Sequence, residues 1–471
     1  MSPDPSVAAP AAPPATLALV PAAPVRLPFD YLDTLCLAGT SAAHGVSSAP
    51  VWQLEIAGAV DEAVLRDAVA ALARRYPVLA ARAVAPGGGA LERARRLAYE
   101  VDPAPDLGRL CRVVDLRGDA AGLERVRAEC FDTCLDLAAE YPARVTFART
   151  AADRGVLFFQ QHHGIADGAA FFALLQDLCR CYDGQGSAAL APVPKLPEAE
   201  VAEPDPGRRR RARWAGYLYT LWDLVRALVR PPDPLRSNVG DDFTGHNRVL
   251  HLELDEAVLA RCRRARAAGL SVNDLLTGAL ALALSRWTRA AGLPLRRFSL
   301  MLLADMRPRD REVRSFANHL SSYVVDLDLR RGDGALALTR AVHDSVRRQA
   351  ARRLPLKRLL AGIALVRRFR LGTLRRAVFG ARRATLNTSF SNLLPLWPGG
   401  RLATRAWTCE RLLIMTPCLF RQGLNASVIH YAGRLCFNFN YKESIVDAAS
   451  ARLLVDGFAA ALDETLAEAA P

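Results

Sequence analysis

The sequence predicts a mixed two-layer α/β fold built twice over. Its 471 residues are 51% hydrophobic and 23% charged, which supplies two cores of roughly 200 residues each. A strand at Val51 to Ile56 runs into Asp61-Glu62-Ala63-Val64-Leu65 and a helix, and a strand at Arg248 to Leu254 runs into Asp255-Glu256-Ala257-Val258-Leu259 and another helix. A shared five-residue string at a matched structural position favours duplication over two unrelated domains. Several strands do not alternate in polarity, so the sheets they form are covered on at least one face.

The first helix, Asp61 to Tyr76, is amphipathic, capped by Asp61 and stopped by Pro77. Arg144 to Thr150 and Gly155 to Gln161 read as neighbouring strands joined by a polar turn, followed by a helix from Gly168 to Tyr182. Asp183 to Gly207 is rich in Pro, Gly, Ala and Glu and marks the linker. In the second half a long apolar helix from Ser271 to Thr288 has Ser271 or Asn273 as its cap. Strands follow at Phe298–Leu303, Ser322–Leu327, Leu386–Ser391, Leu424–Tyr431 and Leu435–Tyr441, and the helix Ile445–Thr465 closes the chain. The expected division is a Pro/Ala-rich leader at 1–25, a first domain at 26–185, a linker with a basic aromatic crossover helix at 186–247, and a second domain at 248–471.

No run of about 18 uncharged apolar residues occurs, so no helix is expected to span a bilayer. The first 24 residues hold seven prolines and no basic residue ahead of Leu17–Val20, unlike a secretory signal, and read as a disordered leader on a cytoplasmic protein. The ten cysteines form no CxxC pair and are expected to be free and buried, with Cys130/Cys134 and Cys179/Cys181 on helices. The net charge of +14 is local: Gly207–Arg236 carries eight Arg against two Asp, and Ala351–Ala384 carries ten Arg and Lys357 with no acid. The rest of the chain is slightly acidic, so two patches need explaining, not a generally basic protein.

Chemistry concentrates at Val156 to Gly168. An apolar strand switches to Gln160-Gln161-His162-His163 before Gly164-Ile165-Ala166-Asp167-Gly168 and a helix. A strand-to-helix turn is where a scaffold presents reactive groups. With eight His in the chain, His-His-x-x-x-Asp-Gly arises by chance in roughly one such sequence in two thousand. Adjacent residues of a strand face opposite ways, which disfavours a metal shared by His162 and His163. A buried structural pair is the other alternative.

This run resembles the HHxxxDG motif of the chloramphenicol acetyltransferase-like superfamily, which includes nonribosomal peptide condensation domains, polyketide-associated acyltransferases and wax ester synthase/diacylglycerol acyltransferases. Arg75-Tyr76-Pro77-Val78-Leu79 is similar to the Arg-His-Pro-x-Leu stretch of these families, with Tyr76 in place of His. Ser271-Val272-Asn273-Asp274-Leu275-Leu276 and Phe390-Ser391-Asn392-Leu393 resemble stretches of the wax ester synthase branch. The resemblance implies two pseudo-duplicated chloramphenicol acetyltransferase-like domains, mixed sheets flanked by helices, and an active-site tunnel at their interface. It also implies that His163 is the general base, with His162, Asp167 and Gly168 completing the catalytic motif. A neutral imidazole suits proton abstraction from an acceptor hydroxyl or amine. Asp167 is expected to hold the loop by pairing with an arginine, for which Arg75 is the candidate, and a helix-capping role is compatible. Gly164 and Gly168 leave room for close backbone or substrate approach. Asn392, Ser391 and Asn273 are candidate substrate-binding residues, against an ordinary strand-end hydrogen bond for Asn392.

The expected reaction is transfer from a thioester, acyl-CoA foremost, to an alcohol. The alternatives are a free-standing amide synthase using a carrier-protein-bound donor, and a non-catalytic carrier- or lipid-binding protein of the same fold. No cofactor is called for, since coenzyme A or phosphopantetheine arrives as part of the substrate. Trp214, Tyr217, Tyr219 and Trp222 follow Arg208–Arg213, a pattern that suits a membrane interface, although a crossover helix packed on the body with solvated arginines is favoured. The second patch calls for an anion nearby: coenzyme A phosphates, an acidic carrier protein or anionic lipid. Nucleic acid is not expected, because no recognition signature accompanies the charge.

Overall fold

The computed structural model describes residues 25–40, 47–85, 97–185, 191–235, 239–240, 245–293, 295–309, 314–329, 334–380, 386–396, 400–418 and 422–469. Of the leader expected at 1–25, residues 1–24 lie outside the described residues. The first half contains β1 (Arg26–Pro28), α1 (Tyr31–Gly39), β2 (Val51–Gly58), α2 (Glu62–Arg75), β3 (Ala81–Val84), β4 (Ala98–Val101), α3 (Leu107–Leu110), β5 (Cys111–Asp115), α4 (Ala120–Asp132), β6 (Ala143–Ala151), β7 (Arg154–Gln161) and α5 (Gly168–Tyr182). The connection holds α6 (Glu198–Ala202) and α7 (Pro206–Val229). The second half contains β8 (Asn247–Asp255), α8 (Glu256–Arg264), α9 (Val272–Ala290), β9 (Arg297–Asp305), β10 (Leu320–Asp328), α10 (Ala335–Ala351), α11 (Leu354–Val366), α12 (Leu371–Gly380), β11 (Thr388–Asn392), β12 (Trp407–Met415), β13 (Leu424–Tyr431), β14 (Arg434–Lys442) and α13 (Ala448–Glu468).

The duplication is visible in strand order. In the first half β2, β7, β6 and β5 lie side by side, with β6–β7 a hairpin and β5 parallel to β6. In the second half β8, β14, β13 and β11 repeat that order, with β13–β14 a hairpin and β11 parallel to β13. Each hairpin is followed by a loop and a helix that packs on its own sheet, α5 in one half and α13 in the other. β9 and β10 extend the second sheet, and β1, β4 and β3 form a small separate antiparallel sheet. One apolar core underlies each half: Trp52, Leu72, Phe159 and Phe171 belong to the first, and Leu280, Leu300, Phe437 and Phe458 to the second.

Caps fix where the helices start. Asp61 accepts from the Val64 amide, Asp167 from Ala170 and Asp447 from Ser450. Ser271, not Asn273, caps α9, in a reciprocal box with Asp274. The final helix begins at Ala448 rather than Ile445, because Asp447 takes the cap position. Cys134 falls just beyond α4, and all ten cysteines are free.

One boundary departs from the sequence reading. β12, which comes from the second half, pairs antiparallel with β2 at the edge of the first sheet. A division at 248–471 thus cuts through a sheet, and the halves are interlocked instead of merely adjacent. The linker is not a free tether either. Val193 donates to the Arg75 carbonyl, the Pro194 carbonyl accepts from Phe316, and Lys195 forms a buried ion pair of 3.0 Å with Asp33. Among the described residues no helix is long and apolar enough to cross a membrane.

Candidate functional site

His162 and His163 continue the β7 ladder by one step on each side. The His162 amide donates to the Pro142 carbonyl and the His163 amide to the Ser48 carbonyl, both at 2.7 Å. Neighbouring residues of such an extended segment point to opposite faces, and the two rings have opposite fates.

His162 is fully buried, and both of its nitrogens are engaged. Nδ1 accepts from the Gly164 amide at 3.1 Å, so the ring proton sits on Nε2, which donates to Thr40 Oγ1 at 3.1 Å. The Thr40 hydroxyl in turn donates to the Cys36 carbonyl. Burial, with a smaller contribution from His163, pushes the His162 pKa down to about 3. A sealed imidazole with both nitrogens occupied cannot take a proton from a substrate. His162 therefore leaves the list of catalytic groups and becomes the strut of the loop. Gly164 is needed beside it, because a Cβ there would lie 2.9 Å from His162 Nδ1 and 3.2 Å from Asp33 Cα.

His163 is half-exposed. Its Nδ1 is buried with no hydrogen-bond partner, which leaves Nε2 at the open edge of the ring. The backbone beneath it is held from the other half: Asn318 Nδ2 donates to the carbonyls of His163 and Gly164 at 2.7 and 2.8 Å. Backbone that is pinned on both sides under an unpartnered ring suits a group that must meet something else.

Asp167 performs both roles expected of it, but not with the expected partner. One oxygen caps α5 through the Ala170 amide. The same carboxylate meets Arg307 in a two-pronged pair, 3.0 Å on each arm, and accepts from the His319 amide at 2.8 Å. Burial pushes this carboxyl up, yet Arg307 and the two amides hold it below the usual carboxylate range. Arg75 is engaged elsewhere. Its Nε donates to Asp177 at 2.5 Å, and the Tyr76 hydroxyl donates to the same carboxylate at 2.6 Å, tying the end of α2 to α5. The candidate Arg75 lies in the same half as Asp167, whereas the partner extends from the end of β9 in the other. Arg307 is aimed by Asp305, whose side chain accepts from both its amide and its guanidinium. Asp305-Met306-Arg307-Pro308 at a strand end was the available signal.

Gly168 is the first residue of α5, next to this pair. Asn273 and Asn392 do meet, Nδ2 of Asn392 donating to Oδ1 of Asn273 at 3.1 Å, while Asn392 Oδ1 accepts from Leu394 at the turn that ends β11. The strand-end hydrogen bond is thus present, and all three of Asn273, Ser391 and Asn392 stay half-exposed. Among the described residues they share no hydrogen bond with the histidine loop. No group of side chains there could hold a metal ion.

Two interlocked sheet-and-helix halves, with a histidine loop clamped between them, define a chloramphenicol acetyltransferase-like α/β protein. A family model described as the Condensation domain matches residues 44–368. The chain belongs to that family, whose enzymes transfer acyl or aminoacyl groups. No curated protein sequence matches the chain. Among solved structures it is similar to the epimerization domain from the third module of tyrocidine synthetase B (18% identity, TM-score 0.65, covering 95% of this chain and 98% of that one). It is also similar to the first condensation domain of the calcium-dependent antibiotic synthetase in complex with a substrate analogue (17%, 0.67, 95% and 97%). A third is the SgcC5 protein from Streptomyces globisporus, in complex with (R)-(-)-1-(2-naphthyl)-1,2-ethanediol and sucrose (19%, 0.63, 94% and 99%).

Proposed function

We propose that this chain moves an acyl group from a thioester, acyl-CoA foremost, to an alcohol, with His163 as general base. Nε2 of His163 accepts the proton of the acceptor hydroxyl as its oxygen attacks the thioester carbonyl. The tetrahedral intermediate collapses with cleavage of the C–S bond, and the imidazolium returns the proton to the departing thiolate. General-base catalysis of this kind contributes about 10² to 10⁴ in rate. In this reading donor and acceptor approach His163 through a channel between the halves, with Asn392, Ser391 and Asn273 on its second-half side. Asn318 is a positioning residue: its amide is spent on the carbonyls of His163 and Gly164.

The observation that carries the reading is the contrast between adjacent imidazoles, one fully bonded and sealed, the other with an open edge and no partner. An alcohol acceptor is favoured over an amine by one similar structure, which holds an aryl-substituted ethanediol. Amide formation with a carrier-bound donor is the rival, since other similar structures are parts of peptide synthetases. The test is thiol release by the purified chain supplied with an acyl donor, as acyl-CoA or as a carrier-bound thioester, and either a long-chain alcohol or an amine. Release that requires the alcohol supports the proposal. Release only with an amine and a carrier-bound donor, or with none of these combinations, overturns it.

A further inference from the structure

α7 packs against α11 through Gly216, where a Cβ would fall 2.1 Å from the Lys357 carbonyl oxygen. That closeness fixes which face of α7 looks outward, and the outward face carries, besides the solvated arginines expected from the sequence, a run of apolar side chains. Trp214, Leu218, Leu221, Trp222, Val225 and Val229 are 43 to 72% exposed. At 3.6 residues per turn they fall within an arc of about 100°, a continuous stripe roughly 22 Å long. Large apolar side chains scattered singly on a surface need no explanation, whereas a contiguous stripe marks a contact.

Cations bracket the stripe. Arg208, Arg210 and Arg211 are exposed on the turn ahead of Trp214, and Arg230 follows Val229. Beside Trp214 opens a cleft of about 730 Å³ lined by Arg209, Arg213, Arg367 and Arg368 against a single acid, Glu200. Among the described residues the guanidinium groups of Arg208, Arg210, Arg211, Arg230 and Arg368 meet no carboxylate, Asp205 taking only the Arg208 amide as the helix cap. Arginines turned inward do: Arg226 pairs with Asp326 and Asp223, and Arg358 donates to Asp223 at 2.8 Å. Of the cleft arginines Arg367 reaches Asp30 at 3.5 Å, and the unpaired guanidinium groups are those that frame the apolar stripe.

We propose that this face of α7, with the end of α11, docks on an anionic phospholipid membrane, the stripe entering the headgroup boundary and the flanking arginines meeting lipid phosphates. Tryptophans beside an apolar face with cations at its borders match an interfacial helix lying in the membrane plane. A second copy of this chain is disfavoured as occupant, because a two-fold contact would set the unpaired arginines against each other.

The proposal goes beyond acyl transfer and is read without turnover. The full chain is sedimented with phosphatidylcholine vesicles and with vesicles of phosphatidylcholine and phosphatidylglycerol. Binding is expected to the anionic vesicles, to weaken with added salt, and to fall at least about tenfold in Leu218→Glu/Trp222→Glu, whose melting temperature stays near that of the wild type because both positions are solvated. No binding to anionic vesicles, equal binding to neutral ones, or binding unchanged in the double variant overturns it. So does sedimentation without lipid in which wild type dimerises and the double variant does not, or capture of an acidic carrier protein by wild type alone.

Discussion

The histidine loop, 161–168, has a counterpart in the second half at 441–448, and the pair shows what separates a scaffold from a site. Each leaves the second strand of a hairpin and enters a helix capped by an aspartate, Asp167 in one and Asp447 in the other. In each an isoleucine is buried and its amide closes a turn at 3.0 Å, Ile165 on the His162 carbonyl and Ile445 on the Lys442 carbonyl. At the two positions before the turn they diverge. Lys442 is buried and donates to the Gly245 carbonyl, and Glu443 pairs with Arg248 at 2.9 Å. His162 is likewise buried and bonded, but His163 keeps its ring unpartnered, and its backbone is gripped across the halves by Asn318 and, through Asp167, by Arg307. The same backbone serves packing in one copy and in the other carries the unpartnered imidazole proposed as the base.

That comparison can be broken at several points. The largest expected effect is on the clamp: Arg307→Met or Asp167→Asn leaves a buried charge or carboxamide without its partner and should cost about 3–5 kcal/mol in denaturant unfolding. A loss below about 1 kcal/mol would mean that the ion pair does not hold the halves. Next comes the acid response of the strut. His162 binds its proton near pH 6.5 when unfolded and near 3 when folded, so the unfolded state holds more protons between these values. Stability is full above pH 6.5 and falls as pH drops toward 3, by up to about 1.4 kcal/mol per unit from this group. In His162→Gln the decline across that window should be shallower by up to that amount, and a parallel decline would contradict the assigned burial. Gly164→Ala should cost about 1–3 kcal/mol through overpacking against His162 and Asp33, with turnover falling as the loop shifts. Smallest is Asp447→Ala, which removes a cap at about 1 kcal/mol in thermal melting and leaves turnover unchanged.

Much of this was legible in the sequence, and what was not shares one cause. The hairpin Ala143–Gln161, the helix Gly168–Tyr182 and the duplicated strand-to-helix unit all rest on periodicity and caps within a few residues. The motif falls on a loop that the second half grips through Asn318 and Arg307. The Asp167 partner was misplaced, and β12 was not anticipated at all, because both depend on contacts between residues 140 to about 360 positions apart. Local pattern does not encode which distant arginine or strand arrives. The same applies to His162 against His163: the sequence placed them on opposite faces but not which face was sealed. On α7 the sequence showed arginines and tryptophans together, and only the approach at Gly216 decided that the tryptophans face out.

The central claim is that one imidazole, and nothing at the matching position of the other half, serves as base. His163→Ala and Glu443→Ala should be compared side by side for kcat and melting temperature. The account predicts a fall of about 10² to 10⁴ in kcat for the first with the fold retained, and a change within about twofold for the second. Wild-type kcat in folded His163→Ala would contradict it.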